Sequence, residues 1–570
     1  MDQSMAASSI RRGFPYFPLA DTDIRILRIK PGADDRVICY LHHATLNDTL
    51  YYDALSYVWG DTSIKQEIRV NGLSFWVTEN LYTALKRLRS IPPPDGCAVA
   101  SFWVDAICIN QDDASEKSRQ VPQMNRIYTN ASRVFVWISP AELNRDPSLR
   151  EATNRVRELF RPDTAQWWQQ ELTALRNSTM SMEESAVAVR KGVFSSLIYF
   201  QQHPWFHRIW TLQESVLARR SPILLFDDDD AFDESCEVFT LDALHEKVVW
   251  SPPCVQIIAK LMELRKWVQR PGLLAKMSMH NPGYMLLLVL CRSELRTVSI
   301  PQDRLYGLYG IFLAVCGQFP GLTFPQVDYT LPHHQVFGQF ARYIIETTGS
   351  TCLLDCAVYN WRYLRGPTWV SMFSSMPKAF LKTAPTNPFH RPIISADGLM
   401  LTIKGVLKDR CVVALRRSDP RDHHQVAEYV MEIEDKVVKP VALQRGLDPK
   451  TVREALFRVS HTYETYEYYR QHPGNESEDE QSSTLVGEDG GALWQITSPI
   501  FVTSQGFFGL CHTMGPCSVG DYICLRPKGA PLILRKQDGS EMYEVIGPVS
   551  DCLEDLRDRA GLEFEDVCLV

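Results

Sequence analysis

Two acids, with the aromatic and polar residues around them, carry the chemistry this sequence offers. Glu214 lies in WFHRIWTLQESVLA (Trp205–Ala218), where helical spacing sets it beside Trp210 and Gln213. A carboxylate that holds a sugar ring and stabilises an oxocarbenium-like transition state, next to an aromatic ring, is in outline what cleavage of a glycosidic bond requires. The competing role for Glu214 is an ion pair with Arg208 or another buried arginine that ties the helix to a sheet. Asp105 is the one acid in FWVDAICINQ (Phe102–Gln111), and Asn110 and Gln111 close that stretch. These three form either a polar cluster facing a ligand or an assembly partner, or, for Asp105, a hydrogen bond to the backbone of a neighbouring loop such as Ser56–Gly60. Ser56, Trp59 and Gly60 sit together in YDALSYVWGD (Tyr52–Asp61). Ser56 has neither a G-x-S-x-G elbow nor a His/Asp partner pattern, so it is a binding candidate rather than a nucleophile. Trp59-Gly60 reads as a packing anchor followed by a turn glycine.

The elements that must position these residues follow from periodicity. Alternation in Phe102–Gln111 is apolar on both faces except at Asp105, as in a strand buried within a mostly parallel sheet. Ligands of open α/β sheets bind beyond the carboxyl ends of the strands, which puts a site where this stretch turns polar. Short strands are predicted at Ile24–Ile29, Val37–Leu41 and Tyr52–Trp59, with a hairpin over Asn71-Gly72. Thr78 is placed to cap a helix bearing Leu81, Ala84, Leu85 and Leu88 on one face. A second helix is expected to start near Val121, with Pro122 in its first turn and Met124, Ile127, Tyr128 and Ala131 inward. Val134–Ile138 is a further buried strand, which makes strand, helix, strand a parallel βαβ unit.

Farther on, residues 147–191 and 232–350 read as mostly helical. Strands return at Leu399–Ile403, Cys411–Leu415 and over Ile500–Val545, in a small barrel or sandwich pattern. Residues 425–472 are helical and charged, and Gly474–Gly491 is polar and acidic, a composition that favours disorder.

Totals narrow the class. A chain of 570 residues exceeds a single core. Its formal charge of -8 weighs against a nucleic-acid or anionic-membrane partner. The 15 cysteines show no C-x-x-C pair, which fits reduced thiols in the cytoplasm. The pairs His42-His43, His333-His334 and His423-His424 lack metal-ligand spacing. Neither a signal-peptide core nor an apolar run of membrane-spanning length is present; the longest such run is Tyr284–Cys291.

YDALSYVWGD, VTENLYTALKRLR (Val77–Arg89), FWVDAICINQDD (Phe102–Asp113), QVPQMNRIYTNASRVFVWI (Gln120–Ile138) and RIWTLQE (Arg208–Glu214) occur in that order. Together they resemble the heterokaryon-incompatibility (HET) domain of filamentous fungi. QDRLYGLYGI (Gln302–Ile311), Val327–Ile344, PTWV (Pro367–Val370) and Ser504–Arg535 resemble blocks that follow it in such proteins. The resemblance implies fungal non-self recognition and, in some members, regulated death of fused cells. It also implies a fold distantly similar to Toll/interleukin-1-receptor domains, which assemble with one another and some of which cleave NAD.

The resulting expectation is an α/β protein. Residues 1–23 lead into a HET domain at 24–218 with a mostly parallel sheet of flavodoxin or Toll-receptor type. A helical region at 219–390 follows, then a β-rich module at 391–570 with an insertion at about 416–495. The leading function is a signalling or death-inducing module acting through protein partners or self-assembly. The alternatives are an NAD-cleaving hydrolase centred on Glu214, with NAD as substrate and no cofactor, and a non-catalytic interaction protein.

Overall fold

The computed structural model describes residues 14–32, 36–93, 100–158, 193–227, 239–248, 256–270, 281–293, 296–316, 324–356, 367–370, 391–415, 423–457, 466–467, 469–471, 499–511, 517–527, 530–552 and 561–570. The acidic stretch Gly474–Gly491 and all of 159–191 lie outside these residues. Two compact units form: Met1–His280 with Leu288–His333, and Asn281–Leu287 with His334–Val570.

The first unit is built on eight strands: β1 (Asp23–Ile29), β2 (Ile38–Thr45), β3 (Asp53–Ser56), β4 (Lys65–Val70), β5 (Leu73–Thr78), β6 (Ser101–Trp103), β7 (Val134–Trp137) and β8 (Ile223–Leu225). Their order is β5-β4-β2-β1-β6-β3-β7-β8. The sheet is mixed rather than mostly parallel: four of its pairings are parallel and three antiparallel. The reason is connectivity. Short connections join β1 to β2 and β4 to β5, and chain reversal through a short turn produces antiparallel neighbours. Parallel pairing concentrates in β6-β3-β7-β8, with β3 lying between the two strands of the predicted βαβ unit.

Local signals explain most of these elements. Asn71 and Gly72 both have positive φ (50° and 82°), as a two-residue hairpin turn between Val70 and Leu73 requires. The Thr78 side chain accepts the Leu81 N–H at the start of α1 (Glu79–Leu88), which buries Leu81, Ala84, Leu85 and Leu88.

Three predicted elements are corrected. The strand expected through Phe102–Ile109 stops at Trp103, and α2 (Asp105–Cys108) is a single helical turn. Asp105 favours that switch, because its Oδ1 accepts the Ala106 N–H at 2.6 Å and an acid suits the first helical turn. All of 102–104 and 106–109 is buried, so burial on every side rather than alternation produced the apolar pattern. The next helix begins before Val121: Asp113 accepts the Ser115 and Glu116 N–H groups and caps α3 (Ala114–Gln120). Pro122 then sits in a 3-10 turn, Val121–Gln123, ahead of α4 (Met124–Asn130), which buries Met124, Ile127 and Tyr128. A buried ion pair fixes α3 to the sheet. Arg25 on β1 meets both oxygens of Glu116, at 2.7 and 3.0 Å. The helix predicted over Trp205–Ala218 begins as the 3-10 turn Pro204–His207 and continues as α5 (Ile209–Val216).

In the second unit, β9 (Ile393–Ile394) pairs with a long β10 (Leu401–Leu415), where two separate strands were expected. β10, β11 (Ile500–Thr503), β12 (Phe508–Cys511), β15 (Met542–Cys552), β14 (Leu532–Lys536) and β13 (Tyr522–Leu525) pair antiparallel around a ring that closes on β10. β16 (Glu565–Leu569) bridges β10 and β15. Helices between 423 and 456 pack Val430, Ile433, Val441 and Leu456 with Ile500, Phe508 and Leu510 of this ring.

Candidate functional site

The parallel strands β3, β6 and β7 all run out toward one cleft of about 950 Å³. Beyond β3 it is lined by Val58–Thr62, beyond β6 by Asp105, and beyond β7 by Glu142 and Arg145. This is the carboxyl-end location that open α/β sheets use for ligands.

Glu214 projects from α5 into this cleft, although only 3% of its surface is exposed. Ser56, the last residue of β3 and fully buried, donates a 2.5 Å hydrogen bond to Glu214 Oε2. The Ser56 hydroxyl in turn accepts the indole N–H of buried Trp205 at 2.8 Å. Burial, with a contribution from the charge of Asp105, pushes the Glu214 carboxyl up to about 8, against the opposing pull of Arg208 and the Ser56 hydrogen bond. Arg208 spends its Nη1 on the Tyr57 carbonyl at 2.7 Å, and among the described residues no ion pair to Glu214 forms. At neutral pH Glu214 is therefore mostly protonated, a state suited to hydrogen-bond donation or general-acid work.

Asp105 accepts the Trp59 indole N–H at 3.0 Å, and its backbone carbonyl accepts Gln111 Nε2 at 3.0 Å. The hydrogen bond expected to the backbone of the Ser56–Gly60 loop goes instead to a side chain of that loop. Gly60 has φ +73°, and a Cβ there would lie 3.0 Å from Asn80 Cβ. Asn80 also holds the loop through the Val58 carbonyl and accepts the Trp137 indole N–H at 2.8 Å.

Of the nine residues singled out from sequence, Glu214, Asp105, Trp210, Gln111, Trp59 and Gly60 line the cleft. Ser56 lies behind it. Gln213 is occupied elsewhere, its Oε1 accepting the Gly310 N–H at 2.7 Å. Asn110 braces its own loop: its Oδ1 accepts the Asp112 N–H at 3.2 Å and its N–H donates to Glu116 at 2.7 Å.

Sequence reasoning passed over the opposite contributors, Lys117, Thr297–Ile300, Asp303 and Tyr329. Asp303 opens the short helix α6 (Asp303–Tyr306) and accepts the Trp210 indole N–H at 3.0 Å and the Tyr329 hydroxyl at 2.9 Å. Burial raises its carboxyl above the usual range. The block QDRLYGLYGI stood in a stretch read as mostly helical, and nothing local marked its single acid as cleft-facing.

Among the described residues no group of three or more His, Cys, Asp or Glu is placed to hold a metal ion, and no helix is long and apolar enough to cross a membrane.

Residues 52–214 match the family described as heterokaryon incompatibility protein (HET). A protein of Neurospora crassa, heterokaryon incompatibility protein 6, OR allele, is 30% identical over 219 residues, which make up 35% of this chain and 32% of that protein. The chain thus covers about a third of the length of this curated relative. No solved structure matches.

Proposed function

With residues 52–214 a heterokaryon incompatibility (HET) domain, we propose that this chain serves fungal non-self recognition as a cytoplasmic signalling or death-inducing module that works by protein assembly. The match over 52–214 carries the reading. Its assembly aspect is supported by β5, which forms an edge of the sheet and exposes Leu73 and Trp76. Exposed edge strands with apolar side chains are templates for pairing with another chain. The parallel block β6-β3-β7-β8 supports a distant likeness to Toll-receptor and flavodoxin types, whose sheets are parallel.

A second reading is favoured by one observation: a buried, largely protonated Glu214 in a cleft with two indoles. In this reading the cleft hydrolyses the nicotinamide–ribose bond of NAD. The C–N bond breaks with its electron pair going to the nicotinamide nitrogen, water adds to the ribose carbon, and the water proton is released. As the neutral acid Glu214 hydrogen-bonds the ribose hydroxyls, and the carboxylate it forms on ionising stabilises the developing positive charge.

Expression of the full chain, Glu214→Gln and Trp76→Lys in a fungal host, with growth and NAD followed together, separates the readings. Assembly signalling predicts growth arrest at constant NAD, retained by Glu214→Gln and lost in Trp76→Lys. Hydrolysis predicts NAD loss with the unaltered chain that Glu214→Gln abolishes. Absence of both effects in every strain refutes both readings and leaves a non-catalytic interaction role.

A further inference from the structure

Both indoles of the cleft are held in the same way. Trp59 donates its N–H to Asp105 at 3.0 Å, and Trp210 donates its N–H to Asp303 at 3.0 Å. Each ring is half-buried and lines the cavity with one edge fixed by a carboxylate; the Arg208 guanidinium already lies 5.9 Å from the Trp59 ring centroid, so Trp210 offers the freer face to the cleft. Tyr329 donates to the other oxygen of Asp303, which leaves that carboxylate little freedom to swing away from Trp210. Asp303 and Tyr329 lie outside the 52–214 match, so the site uses residues beyond the recognised domain.

An indole is the side chain whose π-face attracts cations most strongly, and donation of its N–H to a carboxylate increases electron density in the ring. The lining points the same way: besides the protonated Glu214 it holds five carboxylic side chains against three basic ones. Ring immobilisation matters because a stacking surface ordered before binding loses less entropy when the ligand arrives.

We propose that the cleft binds a planar, positively charged ring, and that Asp303, braced by Tyr329, is the positioning residue that sets the Trp210 indole for it. The pyridinium of NAD is one such ring, so the inference deepens the hydrolytic reading, but it concerns binding and needs no bond cleavage.

Calorimetric titration of the full chain with 1-methylnicotinamide, a cation, and nicotinamide, its neutral counterpart with the same ring, tests it. The cation is expected to bind about fivefold tighter than the neutral ring, as a cation–π contact in a partly desolvated site provides. Trp210→Leu abolishes that preference. Asp303→Asn and Tyr329→Phe reduce it toward unity, while thermal melting reports whether each variant is folded. Should Asp303→Asn fail to fold, Tyr329→Phe, which removes only a hydroxyl, carries the test. Equal affinity for the two rings, no binding of either by the unaltered chain, or an undiminished preference in folded Tyr329→Phe overturns the proposal. NAD turnover measured on the same samples keeps the two readings apart. Cation preference without turnover removes hydrolysis alone, and turnover without cation preference removes this inference alone.

Discussion

The Ser56 hydroxyl reaches Glu214 at 2.5 Å although 158 positions separate the two residues, and in doing so it joins the end of β3 to α5 at the floor of the cleft. Because the same hydroxyl accepts the Trp205 indole N–H, two buried polar groups depend on one oxygen. Ser56→Ala leaves the Trp205 N–H without its acceptor in a site closed to solvent. The expected loss is about 1–3 kcal/mol, the usual cost of an orphaned buried donor. Denaturant unfolding of the variant against the unaltered chain measures it, and a change under ~0.5 kcal/mol would show that the relay has no energetic weight.

Stability should also depend on pH through Glu214. Its carboxyl is raised in the fold to about 8 from an ordinary 4.5, so the folded chain holds the proton more tightly than the unfolded one. The associated stabilisation is fully present below about pH 4.5 and is lost as pH climbs toward 8. Between these limits it falls by about 1.4 kcal/mol per pH unit. Glu214→Gln cannot ionise and removes this slope. Unfolding free energies of the two proteins should therefore diverge progressively in favour of the glutamine variant from pH 5 to 8. Parallel curves would place the Glu214 carboxyl in its ordinary range.

Among the described residues of the first unit, Arg25 and Glu116 form the most buried ion pair, with side-chain exposures of 1% and 4%. Glu116 additionally accepts the Asn110 N–H, so it ties β1, α3 and the loop that leads to Gln111. Glu116→Gln strands the Arg25 guanidinium without a counter-charge. Breaking one side of a buried pair costs about 3–5 kcal/mol, several-fold more than any exposed pair in the chain. Thermal unfolding of Glu116→Gln beside the exposed-pair variant Glu151→Gln gives the comparison, since Arg155 and Glu151 form an ion pair at the surface. Equal shifts in the two variants would refute the assignment.

These interactions also mark where sequence reading succeeds and stops. The Asn71-Gly72 turn and the Thr78 cap were legible because each is fixed by neighbours within a few residues. A cleft at the carboxyl ends of the parallel strands was legible too, since Asp105 stands out in an apolar run. Strand direction was not: β1 lies between β2 and β6, and pairing of that kind is decided by contacts across the sheet. The stop of β6 at Trp103 was hidden because a helical turn buried on all sides has the same apolar composition as a buried strand. Glu116 and Asp303 escaped notice for a related reason. Their partners, Arg25 and Trp210, lie 91 and 93 positions away, and only the fold brings them together.

Gly60 offers the most local test of the cleft. Its φ of +73° is a conformation that other L-residues adopt at a cost of about 1–2 kcal/mol. A methyl group there would also press on Asn80 Cβ at 3.0 Å, and Asn80 cannot retreat freely because it holds both Val58 and Trp137. Gly60→Ala therefore shifts the Val58–Gly60 loop, and Trp59 with it, away from Asp105. The expected outcome is a loss of about 1–3 kcal/mol in unfolding free energy together with weaker binding of 1-methylnicotinamide. Gly72→Ala is the control. It has a comparable φ of +82° with nothing within 4 Å of the added Cβ and lies in the β4–β5 hairpin, away from the cleft, so it should cost stability without changing ligand affinity. Equal effects of both variants on binding would mean that the Gly60 turn does not position Trp59.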